Sequence, residues 1–400
     1  MARLAQDEPP YNKGFFMFIN KNQKLAFAAL SLSSLVSVSV HAEDAPTAET
    51  PDTVIQGYVD AAYTRYDMSP LFANGGPARV FDANTGFTLN QVELNVAHQP
   101  KEGLGYVVNL IAGKDADVFA PYPSNPGANN HFDYPQAFVQ YASGSWTTIA
   151  GRFVTLAGAE TIDPRTDSNY SRSILFGYAI PFAHTGVRTT YAANDTLNII
   201  LGVNNGWDDF KPTTSGKTLE AGIGYTPSKT FNVTAQSYVG DARIGGLTNQ
   251  GKVGTRSLVD VVATWTLSDA ATVQLNGDWG SQTALAGSGM TATNTNSAQW
   301  HGVAGYFNYQ YNDQWHSSLR AEYLDDIDGY RTGTAQMWKE VTFTLGYSAT
   351  KFLDVRLEFR HDYSNTPAFV NSPTMIHGQY TDLANGFGSI AIETLLKFSN

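Results

Sequence analysis

Glu160, Asp163, Arg165, Asp167, Asn169 and Arg172 crowd into one irregular stretch, Val154 to Pro181, which also carries the apolar run Ile174-Leu175-Phe176. Five arginines (Arg152, Arg188, Arg320, Arg356 and Arg360), with Glu358, lie outside the stretch on runs that alternate polar and apolar residues. Acids and guanidinium groups facing each other across water create a transverse field, which orients dipolar solutes and turns away greasy ones. In direct contact, the same groups only satisfy one another. A loop of nearly thirty residues with its own apolar cluster does not stay in solvent. The expectation is that it folds inward against those arginines and narrows whatever space they line.

Other chemistries find no support. The eight histidines show neither HxxxH nor HExxH spacing, so no zinc site is expected. No serine sits in GxSxG, and no nucleophile, base and acid can be assembled from the chain. Gly245-Gly246 lacks the strand and helix that a phosphate loop needs. Asp325-Asp326-Ile327-Asp328-Gly329 lacks the downstream ligands of a calcium loop. That segment and Asp208-Asp209 read as solvated acidic loops, with divalent cations that bridge lipopolysaccharide as the alternative role. No cofactor is expected.

The elements that must position the charges follow from a repeat. From Val54 onward, runs of about ten residues with period-two alternation recur about sixteen times, and the breaks between them are alternately short and long. Ile55, Gly57, Val59, Ala61 and Tyr63 share one face of the first run; Gln56, Tyr58, Asp60 and Thr64 share the other. A hairpin about Ser143-Gly144 is read with Val139 and Tyr141, then Ile149 and Phe153, on the apolar face.

Aromatic residues gather beside the short turns on the apolar parity, at Tyr191, Tyr225, Phe231, Trp265, Tyr309, Trp315 and Tyr347. Such a belt marks a membrane–water interface. The opposite face is polar, as in the ladder Asp354, Arg356, Glu358, Arg360 and Asp362. Buried dry, that ladder would cost several kcal/mol for each unsatisfied charge, about 3–5 by common experience. Facing a water-filled lumen it costs little. The fold class expected is therefore an all-β, closed antiparallel transmembrane barrel of about sixteen strands, over 54–400. An open edge in hydrocarbon is excluded, so first and last strands must pair.

The bulk numbers agree. The chain has 400 residues, no cysteine, and 36 acidic against 25 basic side chains. Lys21 and Lys24 precede the apolar run from Leu25, and Val40-His41-Ala42 has the form of a signal-peptidase site. Residues 1–42 read as a secretory leader, with translation starting at Met17, and 43–53 as a linker. Without the leader's four basic and two acidic side chains the net charge is −13, which argues against nucleic acid as a partner.

The central block carries a family likeness. Gly151-Arg152-Phe153, Gly158-Ala159-Glu160, Asn169-Tyr170-Ser171, Pro181 with His184-Thr185-Gly186-Val187, and Asn205-Gly206-Trp207-Asp208 resemble the putative β-barrel porin-2 (OmpL-like) family of Gram-negative outer membranes. The resemblance runs over most of the chain, roughly Val54 to Phe398, and implies a porin-like protein of the outer membrane with no catalytic residues. The chain departs from such barrels by ending Phe398-Ser399-Asn400 rather than on an aromatic residue, and Phe398 is taken as the terminal signal moved inward by two.

The reading is a passive channel for small hydrophilic solutes, set among outer-membrane lipid and lipopolysaccharide and assembled as a homotrimer. Arg152, Glu160, Asp163, Arg165, Arg188, Arg320, Arg356, Glu358 and Arg360 are expected to line the pore. The alternatives are a barrel with an adhesive or structural role, and a secreted all-β enzyme. N-terminal sequencing of the exported protein is expected to read Glu43-Asp44, and the precursor mass to begin at Met17; a mature chain that still carries Leu25–Ala42 would contradict the leader.

Overall fold

In the computed structural model, residues 53–119, 131–243, 253–285 and 296–400 are described. The expected leader, residues 1–42, and residues 43–52 of the expected linker lie outside the described residues. Sixteen antiparallel strands close into one barrel in chain order. They are β1 (Val54–Tyr66), β2 (Gly86–His98), β3 (Gly103–Ala112), β4 (Phe132–Ser143), β5 (Trp146–Val154) and β6 (Ala183–Asn194). Then come β7 (Leu197–Asn204), β8 (Thr218–Ser228), β9 (Phe231–Arg243), β10 (Val253–Ser268) and β11 (Ala271–Gln282). The last five are β12 (Ala298–Gln310), β13 (Trp315–Asp326), β14 (Gln336–Ser348), β15 (Leu353–Ser364) and β16 (Gly386–Ser399). Two short helices, α1 (Ala116–Phe119) and α2 (Ile174–Tyr178), lie in loops.

Alternation sets the two faces. Between β14 and β15, Phe343 opposes Phe359 and Leu345 opposes Leu357, all on the outside, while Thr342 opposes Arg360 and Thr344 opposes Glu358 within. Leu201, Leu219 and Val341 are more than half exposed, whereas Thr342, Thr344 and Glu358 are buried. A continuous exposed apolar band of this kind is untenable in water and is the normal outer surface of a barrel in lipid. Rings pair along the short-turn end: Trp146 with Tyr191 at 4.4 Å, Phe231 with Trp265 at 5.2 Å, and Trp315 with Tyr347 at 4.8 Å. A second aromatic set, not read from the sequence, sits at the long-loop end, where Tyr63 meets Phe87 at 4.9 Å.

Closure occurs between β1 and β16, from Gln56 opposite Ser399 to Tyr66 opposite Ser389. The two residues after Phe398 extend this ladder: the Asn400 amide donates to the Ile55 carbonyl, and the Ile55 amide to Asn400 Oδ1, both at 3.0 Å. Opposite Phe398 stands Gly57, where an added Cβ would lie 2.1 Å from the Glu93 carbonyl oxygen and 2.5 Å from the Phe398 ring. Only glycine lets the terminal ring lie flat on the wall there.

One expectation is corrected. Ile149 and Phe153 face inward, packed with Val107 and Phe138, rather than toward lipid. The tight hairpin sets Tyr141 opposite Thr148 and Val139 opposite Ala150, so the outward row continues through threonine and alanine.

The apolar core lies inside the barrel, toward the long-loop end of β12 to β1. Phe72, Phe81, Phe176, Trp300, Trp338, Phe369 and Phe387 form one buried cluster there. Loop 67–85 and loop 365–385 are joined by a β-bridge between Phe72 and Phe369. Gly57→Val is expected to lower the melting temperature of the folded barrel through overpacking at the closing seam, at about 1–3 kcal/mol. Heat-modifiable gel mobility checks this, and wild-type stability in the variant would contradict it.

Candidate functional site: the lumen and its inward loop

Loop 155–182 crosses the interior and is held by inward-facing side chains of many strands. It leaves β5 beside Tyr238 of β9, whose hydroxyl accepts from the Leu156 amide at 3.2 Å. Next, the Ala159 amide donates to Asn276 Oδ1 of β11 at 3.3 Å. Glu160 then meets Arg320 of β13 at 2.6 Å. The loop swings past β2, where Arg165 joins Asp163 at 2.6 Å and Glu93 at 2.9 Å. It returns along β15, β14 and β13 to Trp300 of β12, whose indole donates to the Ala179 carbonyl at 3.0 Å.

The attachment is chemical as much as steric. Glu358 accepts from the Tyr170 and Ser171 amides at 2.7 and 3.0 Å. Glu322 accepts from the Ile174 and Leu175 amides at 2.9 and 3.0 Å, at the opening of α2. A carboxylate is well placed there because the first helical amides lack intrahelical partners. Ser173 caps the same turn, its hydroxyl accepting from the Phe176 amide at 2.9 Å. The arginines reach the loop's carbonyls: Arg320 to Ser171 and Arg360 to Arg172, each at 2.6 Å, and Arg356 to Pro164 at 3.2 Å.

Arg320 is the centre of this network. It is fully buried and touches Glu160, Glu340 at 2.8 Å and Glu322 at 3.3 Å. Arg360 extends the network to Glu340 at 3.1 Å and Asp362 at 2.9 Å, and Arg356 to Asp354 at 3.0 Å and Glu393 at 3.2 Å. Acids outnumber arginines on this wall, and the loop's amide donors make up the difference for Glu322 and Glu358.

The structure thus divides the expected pore residues into three groups. Glu160, Arg320, Arg356, Glu358 and Arg360 lie buried between loop and wall, in contact rather than opposed across water. Asp163, Arg165 and Arg188 border the cavity that remains, together with one edge of Glu160. Arg188 is itself tied to Glu220 at 2.9 Å and lies over the Phe153 ring at 4.2 Å.

Arg152 belongs to neither of these groups. By register it stands opposite Ala137 and Thr185, in the outward row of Val139 and Val187. It pairs with Asp133 at 3.0 Å beneath the rings of Tyr134 and Phe210. Its place in the strand is the reason, since Gly151 and Phe153 take the inward positions on either side.

Sequence reading did not single out Glu322, Glu340 or Glu393, which carry much of the network. Their signal was present as acids on the polar parity of β13, β14 and β16, but nothing in the pattern distinguishes an acid that faces water from one that holds a loop.

The open part of the lumen lies on the other side. Its cavity is bordered by Asn109 of β3, Gln136 and Gln140 of β4, Thr190 of β6, Asn198 of β7 and Gln236 of β9. Across it stand loop residues Leu156 to Asp163, with Phe176 and Phe182. Among the described residues, no hydrogen bond joins loop 155–182 to β3, β4, β7 or β8.

At the long-loop end, Arg79 of loop 67–85 pairs with Asp362 at 2.6 Å. Burial pushes the neighbouring Asp82 carboxyl up to about 7, against the pull of Arg79. Because this acid binds its proton more tightly when folded, its favourable contribution is fully present below about pH 4. It is lost as pH rises from there through about 7.

Arg320→Met should strand three buried carboxylates and cost about 3–5 kcal/mol, releasing loop 155–182 to protease while the barrel persists; unchanged resistance would contradict the network's role. Asp82→Asn should flatten the pH dependence of thermal stability between pH 4 and 7, and an unaltered slope would exclude Asp82 as its source.

Comparison with known proteins places these features in context. A family described as "Putative beta-barrel porin-2, OmpL-like" matches residues 52–386. The search of curated proteins finds no match. Among solved structures, the trimer form of OmpT from Vibrio cholerae superposes with a TM-score of 0.58 at 11% identity, covering 86% of this chain and 99% of that one. The outer membrane channel DcaP of Acinetobacter baumannii gives a TM-score of 0.56 at 15% identity, covering 86% and 97%. An anion-selective porin from Comamonas acidovorans gives 0.56 at 9% identity, covering 86% and 99%. At these identities the likeness establishes the shared barrel fold.

Proposed function

This chain belongs to the putative beta-barrel porin-2 (OmpL-like) family of bacterial outer-membrane barrels, and from that premise we propose that it is a passive diffusion channel for small hydrophilic solutes. The observation that carries the proposal is the asymmetry of the lumen. Loop 155–182 is fastened chiefly to the wall from β11 round to β2, and a cavity lined by amides, threonines, paired charges and apolar side chains remains against β3 to β9. A loop anchored on one side narrows a lumen without filling it. An apolar molecule beside Gln136, Gln140 and Asn109 would displace the water bound to those amides and replace none of its hydrogen bonds, so it passes at a loss.

Flow down a solute's own gradient is the chemistry proposed. The outward apolar rows and both aromatic sets suit contact with lipid and lipopolysaccharide. Assembly as a homotrimer belongs to the same proposal, in line with the trimer form of the Vibrio cholerae barrel.

Planar-bilayer recording of the purified protein is expected to show discrete open steps. Replacing residues 157–179 by a short Gly-Ser linker should enlarge each step at least twofold. Persistent silence of the wild type would leave an adhesive or structural barrel, and an unchanged step size would remove the constriction.

A further inference from the structure

The charge carried by this chain and the charge offered by its lumen differ. With a net charge of −13 outside the leader, a barrel whose acids faced the path would draw cations and repel anions. The acids are placed otherwise. Five charged residues border the open cavity, and each has an opposite charge in contact: Glu160 with Arg320 at 2.6 Å, Arg188 with Glu220 at 2.9 Å, and Arg165 with both Asp163 and Glu93 at 2.6 and 2.9 Å.

Apolar side chains such as Ile149, Leu156, Phe176 and Ile200 make up much of what is left, and among its polar groups carboxamides are the commonest. Nine asparagine and glutamine side chains border the cavity, more than all its charged residues together. They come from both flanks, with Gln56 of β1 at one side and Gln274 of β11 at the other. An amide both donates and accepts, so it replaces the water lost by a hydroxyl group, whichever way that group points. It supplies no net charge. An ion in the same place would lose hydration without finding a counter-charge, and that loss is the larger one by far.

Resting on the channel reading above, we propose that the lumen selects uncharged, hydroxyl-rich solutes of the size of a monosaccharide, and that it discriminates little between small cations and anions. The ion pairs at its border fix the loop and offset most of one another's charge, and the amides supply most of the polar groups along which the solute moves.

The test uses the mature protein in two settings. In planar bilayers under a potassium chloride gradient, the potassium-to-chloride permeability ratio is expected to lie between one half and two. In liposomes, galactose should enter at least threefold faster than either galacturonate or galactosamine, which share its ring and carry opposite charges. A ratio beyond that range, or a charged sugar entering as fast as galactose, would overturn the proposed cargo while leaving the channel in place. Absence of both conductance and sugar entry would instead overturn the channel reading on which the cargo rests.

Gln136→Glu and Gln136→Lys supply the second arm. They should shift the permeability ratio several-fold in opposite directions, toward potassium and toward chloride. Two folded variants with the wild-type ratio would show that the amide wall does not border the path, and the proposal would fall.

Discussion

A single buried guanidinium organises the interior of this barrel. Arg320 lies among Glu160, Glu322 and Glu340 and reaches the Ser171 carbonyl, so one side chain ties the inward loop to the wall at several points. Removing a charge from water costs several kcal/mol, and only a full set of partners offsets it. That requirement fixes the loop's position: wherever the loop moves, Glu322 and Glu358 lose two amide donors each. The apolar side chains of α2 then pack into the cluster around Trp300 and Trp338, adding burial to a geometry already set by charge.

The consequence for transport is a lumen with two unlike halves. From β12 round to β16 the interior is filled by ion pairs, loop backbone and aromatic rings. Facing β3 to β9 it is lined by amides, threonines, a few paired charges and apolar side chains such as Ile149, Leu156 and Phe176. Such a division allows a barrel of sixteen strands to keep a narrow path without a wide, weakly selective bore. It also uses the acidic surplus of the chain for structure.

Alternation made the outer wall legible. Val355, Leu357 and Phe359, set one residue apart from Arg356, Glu358 and Arg360, could only belong to a strand with lipid on one side and water or protein on the other. The strand count, the closure and the aromatic set at the short turns followed from the same periodicity. Legibility failed where the inward face was apolar as well. Ile149 and Phe153 resemble lipid-facing residues, and only the hairpin register, which sets Val139 opposite Ala150, shows that they point inward. Arg152 was misplaced for the converse reason, since a charge on the outward row contradicts the general rule unless Asp133, Tyr134 and Phe210 enclose it. The docking of the loop was visible in its length and apolar run. The acids that hold it were not, because polar parity reads the same for a wetted carboxylate as for one that binds backbone amides.

Adjacent threonines give the most direct test of the account. Thr190 borders the cavity, whereas Thr189 lies on the outer face, bonded to Thr148 at 3.0 Å. The chain has no cysteine, so a thiol introduced at either place is unique. Reaction of Thr190→Cys with a water-soluble charged methanethiosulfonate should lower single-channel conductance, while Thr189→Cys in lipid should neither react nor change it. The opposite pattern, or equal reaction at both, would contradict the placement of water and lipid on which every functional statement here depends.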